Sequence, residues 1–219
     1  MDRITDAFTW PTRDPEWLAK MLIIALILLI PIVGAINGIG WMLASLDRLR
    51  AGEEKLAPAN LSHLGRGFRL FVVNLVYGLC IVAIAALIYV PAVIVATNQS
   101  HGAANPALVS LAIMLSLLAF SVATLGSLAL NFATPSIVLA TDRGGIRGGL
   151  SVGAVLRLAR AHIANTLIAG LMLIAASFIG SLGVIVCGIG VFFTTAYALA
   201  MQAWVIRSVE VGSPAAKAA

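Results

Sequence analysis

The chain has 219 residues, of which 61% are hydrophobic and 11% charged, with a mean hydropathy of +1.03. A soluble domain carries roughly 25% charged residues, so this composition lacks the polar shell that a soluble protein needs. The net charge of +5 and pI of about 9.8 do not point to nucleic acid, because the basic residues flank apolar runs and form no basic domain of their own.

Residues 1–17, MDRITDAFTWPTRDPEW, carry mixed charge and read as an interfacial segment. They do not look like a signal peptide, since the apolar run that follows ends in LDRLR with no small-residue cleavage site. Residues 18–49 hold the first charge-free gap, 26 residues from Met21 to Leu46. Pro31, Gly34, Asn37, Gly38 and Gly40 break it near its middle. One tilted helix fits this gap. Two half-helices of about 20 Å each, dipping in and returning, fit it as well.

The second gap, from Leu70 to Thr141, is 72 residues long. A span needs about 20, so residues 68–140 read as a two-span hairpin. Its turn lies in TNQSHGAANP, residues 97–106. One helix is expected from Phe68 to Ala96, with Pro91 near its end. The next starts after Pro106 and runs to Ala133, where Pro135 kinks or ends it. Residues 141–162 read as a surface connection. DRGGIRGG is a flexible loop, and LSVGAVLRLARAH forms a short surface helix with Arg157 and Arg160 on one face and Val152, Val155, Leu156 and Ala159 available to lipid. The third gap, 46 residues from Ala161 to Ile206, places spans at 163–182 and 190–206 within a hairpin 163–207. The glycines of SFIGSLGVIVCGIG supply its reversal, and residues 208–219 form a flexible tail.

The continuous apolar runs exclude alternating strands. The fold class expected is an all-α integral membrane protein, with four full transmembrane helices plus an N-terminal broken or re-entrant helical hairpin, in a single membrane domain over 1–219. If the first segment returns, all fourteen Lys and Arg lie on one side; if it crosses once, Arg3, Arg13 and Lys20 move to the other. The positive-inside rule favours the return, although Asp2, Asp6, Asp14 and Glu16 make the N-terminal tail acidic enough for a single crossing. Trp10, Trp17, Trp41 and Trp204 each lie near an inside charge, where indole prefers the interface. Asn37 reads either as a partner for broken backbone at the turn or as an ordinary helix-packing residue. The basic loops and the C-terminus are expected on the cytoplasmic side of the membrane.

Arg66, Arg69 and Asn74 match Arg157, Arg160 and Asn165 as R-x-x-R-x-x-x-x-N at the entries to two hairpins. Either this marks a duplication or it is a chance match in a biased composition. The four arginines are candidates to hold anionic phospholipid headgroups; the other reading is orientation and solvation alone. Small-residue stripes at Ala119, Ala123 and Ser127, and at Ala176 and Gly180, suit close helix packing and hence partner membrane-protein subunits. Cys80 and Cys187 lie in apolar runs with no metal-ligand spacing, and read as packing residues.

No ionisable side chain lies in the charge-free gaps, where a coupled carrier would need one. No nucleophile has a base at matching depth. The three histidines sit at span ends, so a bis-histidine haem is not expected. Asp47, Glu53, Glu54 and Asp142 are too scattered to suggest a metal site. The expectation is a protein with no catalytic residues and no cofactor.

The order of features resembles a prokaryotic membrane family catalogued as domain of unknown function 4013. The resemblance rests on F-x-W-P-x-x-D-P-E-W-L-x-K from Phe8 to Lys20, on LLIPIVGAINGIGW, on LDRLRAGEEKLAPANLSHLGRGFRLF and on TPSIVLATDRGGIRGGLSVGAVLRLAR. It implies a polytopic helical membrane protein, most often prokaryotic and hence expected in a prokaryotic cytoplasmic (inner) membrane, and lends no activity or functional residues. One departure is ANLSHLG, which lacks the acidic cluster usual after the proline. The function expected is a non-enzymatic accessory or scaffold subunit of a membrane assembly. The alternative is a passive carrier or channel for a small or amphipathic solute, which the broken first segment would suit.

Overall fold

The computed structural model describes residues 6–99, 105–161, 163–182 and 190–211, and among these it is helical with no strand. The helices are α1 (Asp6–Thr9), α2 (Trp17–Leu28), α3 (Val33–Arg50), α4 (Leu64–Gln99), α5 (Pro106–Leu150), α6 (Val152–Ala161), α7 (Ile163–Leu182) and α8 (Gly190–Val211), with a 3-10 turn at Trp10–Arg13. Two units emerge. One is Met1–Val73 with Asn131–Ala219, and the other is Asn74–Leu130.

In the first unit α8 is the hub. It packs on α2, α3 and α7. Ala196, Ala198, Ala200 and Ala203 are buried along it, so its neighbours approach closely. The N-terminal segment is strapped to this helix. Trp10 is fully buried, donates from Nε1 to the Ala200 carbonyl at 3.1 Å and stacks on Trp204, with centroids 5.9 Å apart. Tyr197 donates its hydroxyl hydrogen to the Phe8 carbonyl. Trp41 is likewise fully buried and donates to the Ala57 carbonyl at 3.0 Å. These two tryptophans are therefore core pieces that satisfy backbone carbonyls, not interface anchors as the sequence suggests.

The chain turns back between α2 and α3. Val33 donates to the Pro31 carbonyl at 2.7 Å across Ile32, which sits at φ 64°, ψ −60°. This is a γ-turn of the rare positive-φ kind. Proline suits the break because it carries no amide hydrogen to continue a helix. The return is sealed by Gly34, where a side chain would strike the backbone of Ile27 and Leu28. Lys20 at the start of α2 and Arg48 near the end of α3 donate to the same carbonyl, that of Leu56, at 3.4 and 3.2 Å. Both ends of the hairpin thus lie together.

Pro31 is in the turn, but Gly34, Asn37, Gly38 and Gly40 are inside α3. They are packing residues, which corrects their assignment to the turn. Gly38 faces side chains of Leu28 and Leu199, and Gly40 faces the His63 carbonyl. Helix breakers persist in a helix when neighbours need the space their missing atoms leave.

The segment after α3 does not simply cap the helix. It runs back along it. Ala57 donates to Ser45 Oγ at 3.2 Å, and Asn37 donates from Nδ2 to the Asn60 carbonyl at 2.9 Å. Eight helical residues separate Ser45 from Asn37, about 12 Å of rise. Asn37 thus neither holds the hairpin turn nor simply packs a helix: it holds this returning loop. The loop feeds α4, whose first turn crosses α3 backbone to backbone. A side chain on Gly67 would strike Ile36 O, and one on Gly40 would strike His63 O.

The second correction concerns α5. Pro135 does not end it, because the ring removes one hydrogen bond and the helix resumes on both sides. The reversal comes at Gly145, with φ 61° and ψ −156°. Gly148 then lies against the Ala140 carbonyl and Gly149 against Thr141. DRGGIRGG is therefore a folded turn, not a free loop. Pro91 is likewise accommodated inside α4.

In the second unit the parts of α4 and α5 expose their apolar side chains, with Leu87 77% and Phe120 71% exposed. Ala92, Ala112 and Ala119 are buried and Gly126 faces Ile81. Within this unit the packing line on α5 is Ala112, Ala119 and Gly126, seven residues apart; of the stripe Ala119, Ala123 and Ser127 only Ala119 is buried. Ser110, Ser116 and Ser121 turn their hydroxyls onto carbonyls one turn back, at 2.8 Å each, which leaves no unmet donor on an apolar surface.

Among the described residues, α4 and α5 are long and apolar enough to cross a membrane. Four such helices were expected. α7 and α8 keep the expected starts; the described stretch of α7, Leu167–Ala176, is a shorter apolar helix, and α8 is not among the helices that meet the test, so the count of four is not supported. The reversal expected at 183–189 and the tip of the 97–106 turn at 100–104 lie outside the described residues, as do Cys187, the side chain of Asn165 and the surroundings of Gly180.

The crossing of α3 and α4 is open to mutation. Gly40→Ala and Gly67→Ala should each lower the melting temperature in detergent by several degrees, because backbone must move. Gly78→Ala, which meets nothing within 4 Å, should leave it unchanged or raise it, since alanine gains about 0.5–1 kcal/mol over glycine in a helix. Equal effects at all three would refute the close crossing.

Candidate functional site: an ion-paired cluster and its cavity

Each charge-free gap ends in charges, and the first unit gathers those ends. Arg50 closes α3 and stands at the centre. Its Nη1 donates to Asp142 Oδ2 at 2.6 Å and to Asp47 Oδ1 at 3.0 Å, and its Nε donates to Glu210 at 2.9 Å. Arg66, in the first turn of α4, donates from Nη2 to Asp142 Oδ1 at 2.7 Å and pairs through both nitrogens with Asp47. Arg207 adds a contact to Glu210 at 3.2 Å. Residues of α3, α4, α5 and α8 thus meet in a cluster of three arginines and three carboxylates.

Their exposures rank the contacts. Asp142 and Glu210 are 16% and 17% exposed, Arg66 and Asp47 39% and 42%. Arg50 to Asp142 and Glu210 is the desolvated part, where loss of one partner is costly. Arg66 to Asp47 is closer to a surface pair, worth at most about 1 kcal/mol. Burial works against the Arg50 charge, but hydrogen bonds to Glu210 and Asp142 outweigh it and raise its pKa further.

A cavity of about 300 Å³ adjoins the cluster, lined by Leu43, Gly65, Arg66, Arg69, Leu70, Val138, Thr141 and Asp142. Arg69 has no ion-pair partner among the described residues. Of the four arginines expected to hold headgroups, the structure brings Arg66 and Arg69 to this cavity. Arg157 and Arg160 do not line it; they stand exposed on α6, with Val155 turned inward and Val152 and Leu156 outward. The R-x-x-R match also falls differently, since Arg66 and Arg69 lie in α4 itself and Arg157 and Arg160 in a helix separate from α7.

A family match now gives this arrangement a context. The family described as "Protein of unknown function (DUF4013)" matches residues 23–189. The chain belongs to that family. Neither the curated proteins nor the solved structures yielded a match. Within this DUF4013 protein, Asp47, Arg50, Arg66, Arg69 and Asp142 fall inside the matched residues, whereas Arg207, Glu210 and the N-terminal strap fall outside.

The sequence reading missed the cluster. In the sequence Asp47, Glu53, Glu54 and Asp142 read as too scattered for a metal site, and nothing there pairs Asp47 or Asp142 with Arg50 and Arg66. The available signal was their position. Each of these residues flanks a charge-free run, which marks them as helix-end charges but does not say which of them pair.

A second buried pair ties the N-terminus to the returning loop. Asp14 is 2% exposed; it accepts from Lys20 Nζ at 2.8 Å and from the amides of Glu16 and Leu56 at 2.9 Å each. Burial alone would raise its pKa, but the bonds from Lys20 and the two amides overcome that and lower it. A depressed carboxylate stabilises the fold above its unfolded pKa, about 3.9, and loses that contribution as pH falls through the folded value. Asp14→Ala is expected to cost about 3 kcal/mol near pH 7, by leaving the amides of Glu16 and Leu56 without their acceptor and Lys20 with only the exposed Glu16 as a counter-charge. Melting in detergent from pH 6 to pH 3 should fall more steeply for the native chain than for Asp14→Asn. Parallel slopes would show that Asp14 is not a buried, ionised anchor.

Proposed function

We propose that this DUF4013 protein is an integral membrane protein of a prokaryotic cytoplasmic membrane, serving without catalysis as an accessory or scaffold subunit of a larger membrane assembly. The observation that carries this reading is the surface of α4 and α5. Over these long helices, large aliphatic and aromatic side chains point outward while hydroxyls are satisfied within the helix. Exposed apolar patches this extensive call for lipid or partner helices. On the same reading α7 and α8, 20 and 22 residues long, make up four crossings, since about 20 residues reach across hydrocarbon. The α2–α3 hairpin enters and returns, and the basic loops and C-terminus face the cytoplasm.

The hairpin topology has a direct test. Single cysteines at Thr12, Ala51 and Asn98, in a Cys80→Ala, Cys187→Ala background, are labelled with an impermeant thiol reagent in intact cells and in inverted vesicles. Positions 12 and 51 should label from one side and 98 from the other. Labelling of 12 and 51 from opposite sides would overturn the returning hairpin. The role is tested separately. Native purification should yield fixed partner subunits, and liposomes holding the chain alone should show no solute-specific flux. Such flux would replace the scaffold reading with a passive carrier.

A further inference from the structure

We propose that the cavity beside Arg69 is a binding site for a singly charged phosphate ester, and so deepen the membrane reading on which this rests. The cavity's 300 Å³ is at the lower end of small-molecule sites, enough for a phosphate group with a short attached stem. Its lining divides by chemistry. Leu43, Leu70 and Val138 form an apolar side, and Arg66, Arg69, Thr141 and Asp142 a polar one. An amphipathic ester matches that division; a free metal cation or a wholly apolar guest does not.

Charge selects the sign and size of the guest. Asp142 lines the cavity, but Arg66 holds its Oδ1 at 2.7 Å and Arg50 its Oδ2 at 2.6 Å. Arg66 in turn is shared between Asp142 and Asp47. The cluster of Arg50, Arg66 and Arg207 with Asp47, Asp142 and Glu210 is therefore closed and electrically neutral. What remains is one positive charge, that of Arg69. Thr141 adds no donor, because its hydroxyl hydrogen is given to the Ile137 carbonyl at 2.7 Å. A planar guanidinium with free N–H groups binds a phosphate through two parallel bonds, a geometry that lysine cannot copy. One free guanidinium matches one phosphodiester charge.

That chemistry is shared by an anionic phospholipid headgroup and by a small soluble phosphate. The experiment separates them. The full chain, purified in a non-ionic detergent, is titrated with short-chain phosphatidylglycerol, with short-chain phosphatidylcholine and with inorganic phosphate, and binding is read by native mass spectrometry. Three variants are compared with the native chain: Arg69→Ala, Arg69→Lys and Arg157→Ala. Arg157 is the control, being exposed and unpaired but away from the cavity. Phosphatidylglycerol should bind at least tenfold more weakly to Arg69→Ala, several-fold more weakly to Arg69→Lys, and unchanged to Arg157→Ala. Arg69→Ala should keep its melting temperature, since no ion pair is lost. If inorganic phosphate competes with phosphatidylglycerol at Arg69, the site recognises the phosphate group itself and takes soluble esters too. If phosphatidylglycerol binding depends on Arg69 without such competition, the lipid is the source. Equal weakening in Arg69→Ala and Arg157→Ala, or none in either, overturns the site. That outcome, with the cysteine labelling pattern intact, leaves the membrane reading standing. Arg69-dependent phosphate binding with an altered labelling pattern would do the reverse.

Discussion

Arg50 is the point on which the first unit closes. It ends α3, and its guanidinium reaches a carboxylate of α5 and one of α8, while Arg66 brings in α4 through the same Asp142. A charge taken this far from water is tolerable only with opposite charges in good geometry. That requirement works in one direction on the fold. The helix ends must converge so that every member has its partners, and a shift of one helix leaves a buried charge unmet. The cluster adds specificity of arrangement more than net stability, because desolvation offsets much of the attraction. It sits where charge-free helices end, so the apolar helices are free to carry no charge at all.

The second constraint is backbone. The loop of residues 51–63 leaves the helical state beside α3, and its carbonyls and amides must be met there. Asn37, Trp41 and Ser45 do this from one face of α3, at spacings of four residues, on Asn60 and Ala57. One buried acceptor, Asn37 Oδ1, is left over among the described side chains. Irregular backbone in an apolar setting is tolerated only where protein satisfies it. The small residues Gly34, Gly38 and Gly40 share α3 with these polar ones. The same helix therefore gives backbone contact on one side and hydrogen bonds on another.

Much of the element order was legible in the charge-free gaps, because ionic side chains mark helix ends. The starts of α7 and α8, and the surface helix α6, follow from them. What composition could not reveal was pairing. The bond between Arg50 and Glu210 spans 160 residues, and no local pattern encodes it. Breakers misled in both directions. Pro135 looked like an end, but a long helix loses one bond there and goes on. The glycines of α3 looked like a turn, but they serve contact with Leu28, Leu199 and His63. The γ-turn at Ile32 hid because a β-branched residue rarely takes positive φ. At the candidate site, Arg66 and Arg69 were legible as a pair, but not their difference. Only the geometry reveals that one is spoken for by Asp47 and Asp142 while the other is free.

That difference changes how the basic charge should be counted. A sum over all Lys and Arg treats each as available to orient the chain or to meet anionic lipid. In the structure Arg13, Lys20, Arg48, Arg50, Arg66 and Arg207 each pair with a carboxylate of the chain itself. Such pairs present little net field to a surface beyond a Debye length of about 8 Å. Lys55, Arg69, Arg143, Arg147, Arg157 and Arg160 have no ion-pair partner among the described residues. Four of these six lie within residues 143–160, two around the turn at Gly145 and two in α6, a segment that also exposes Val152 and Leu156. The unpaired positive charge among the described residues is therefore mostly on this one segment, whereas Arg13 and Lys20 of the N-terminal part are already paired within the protein.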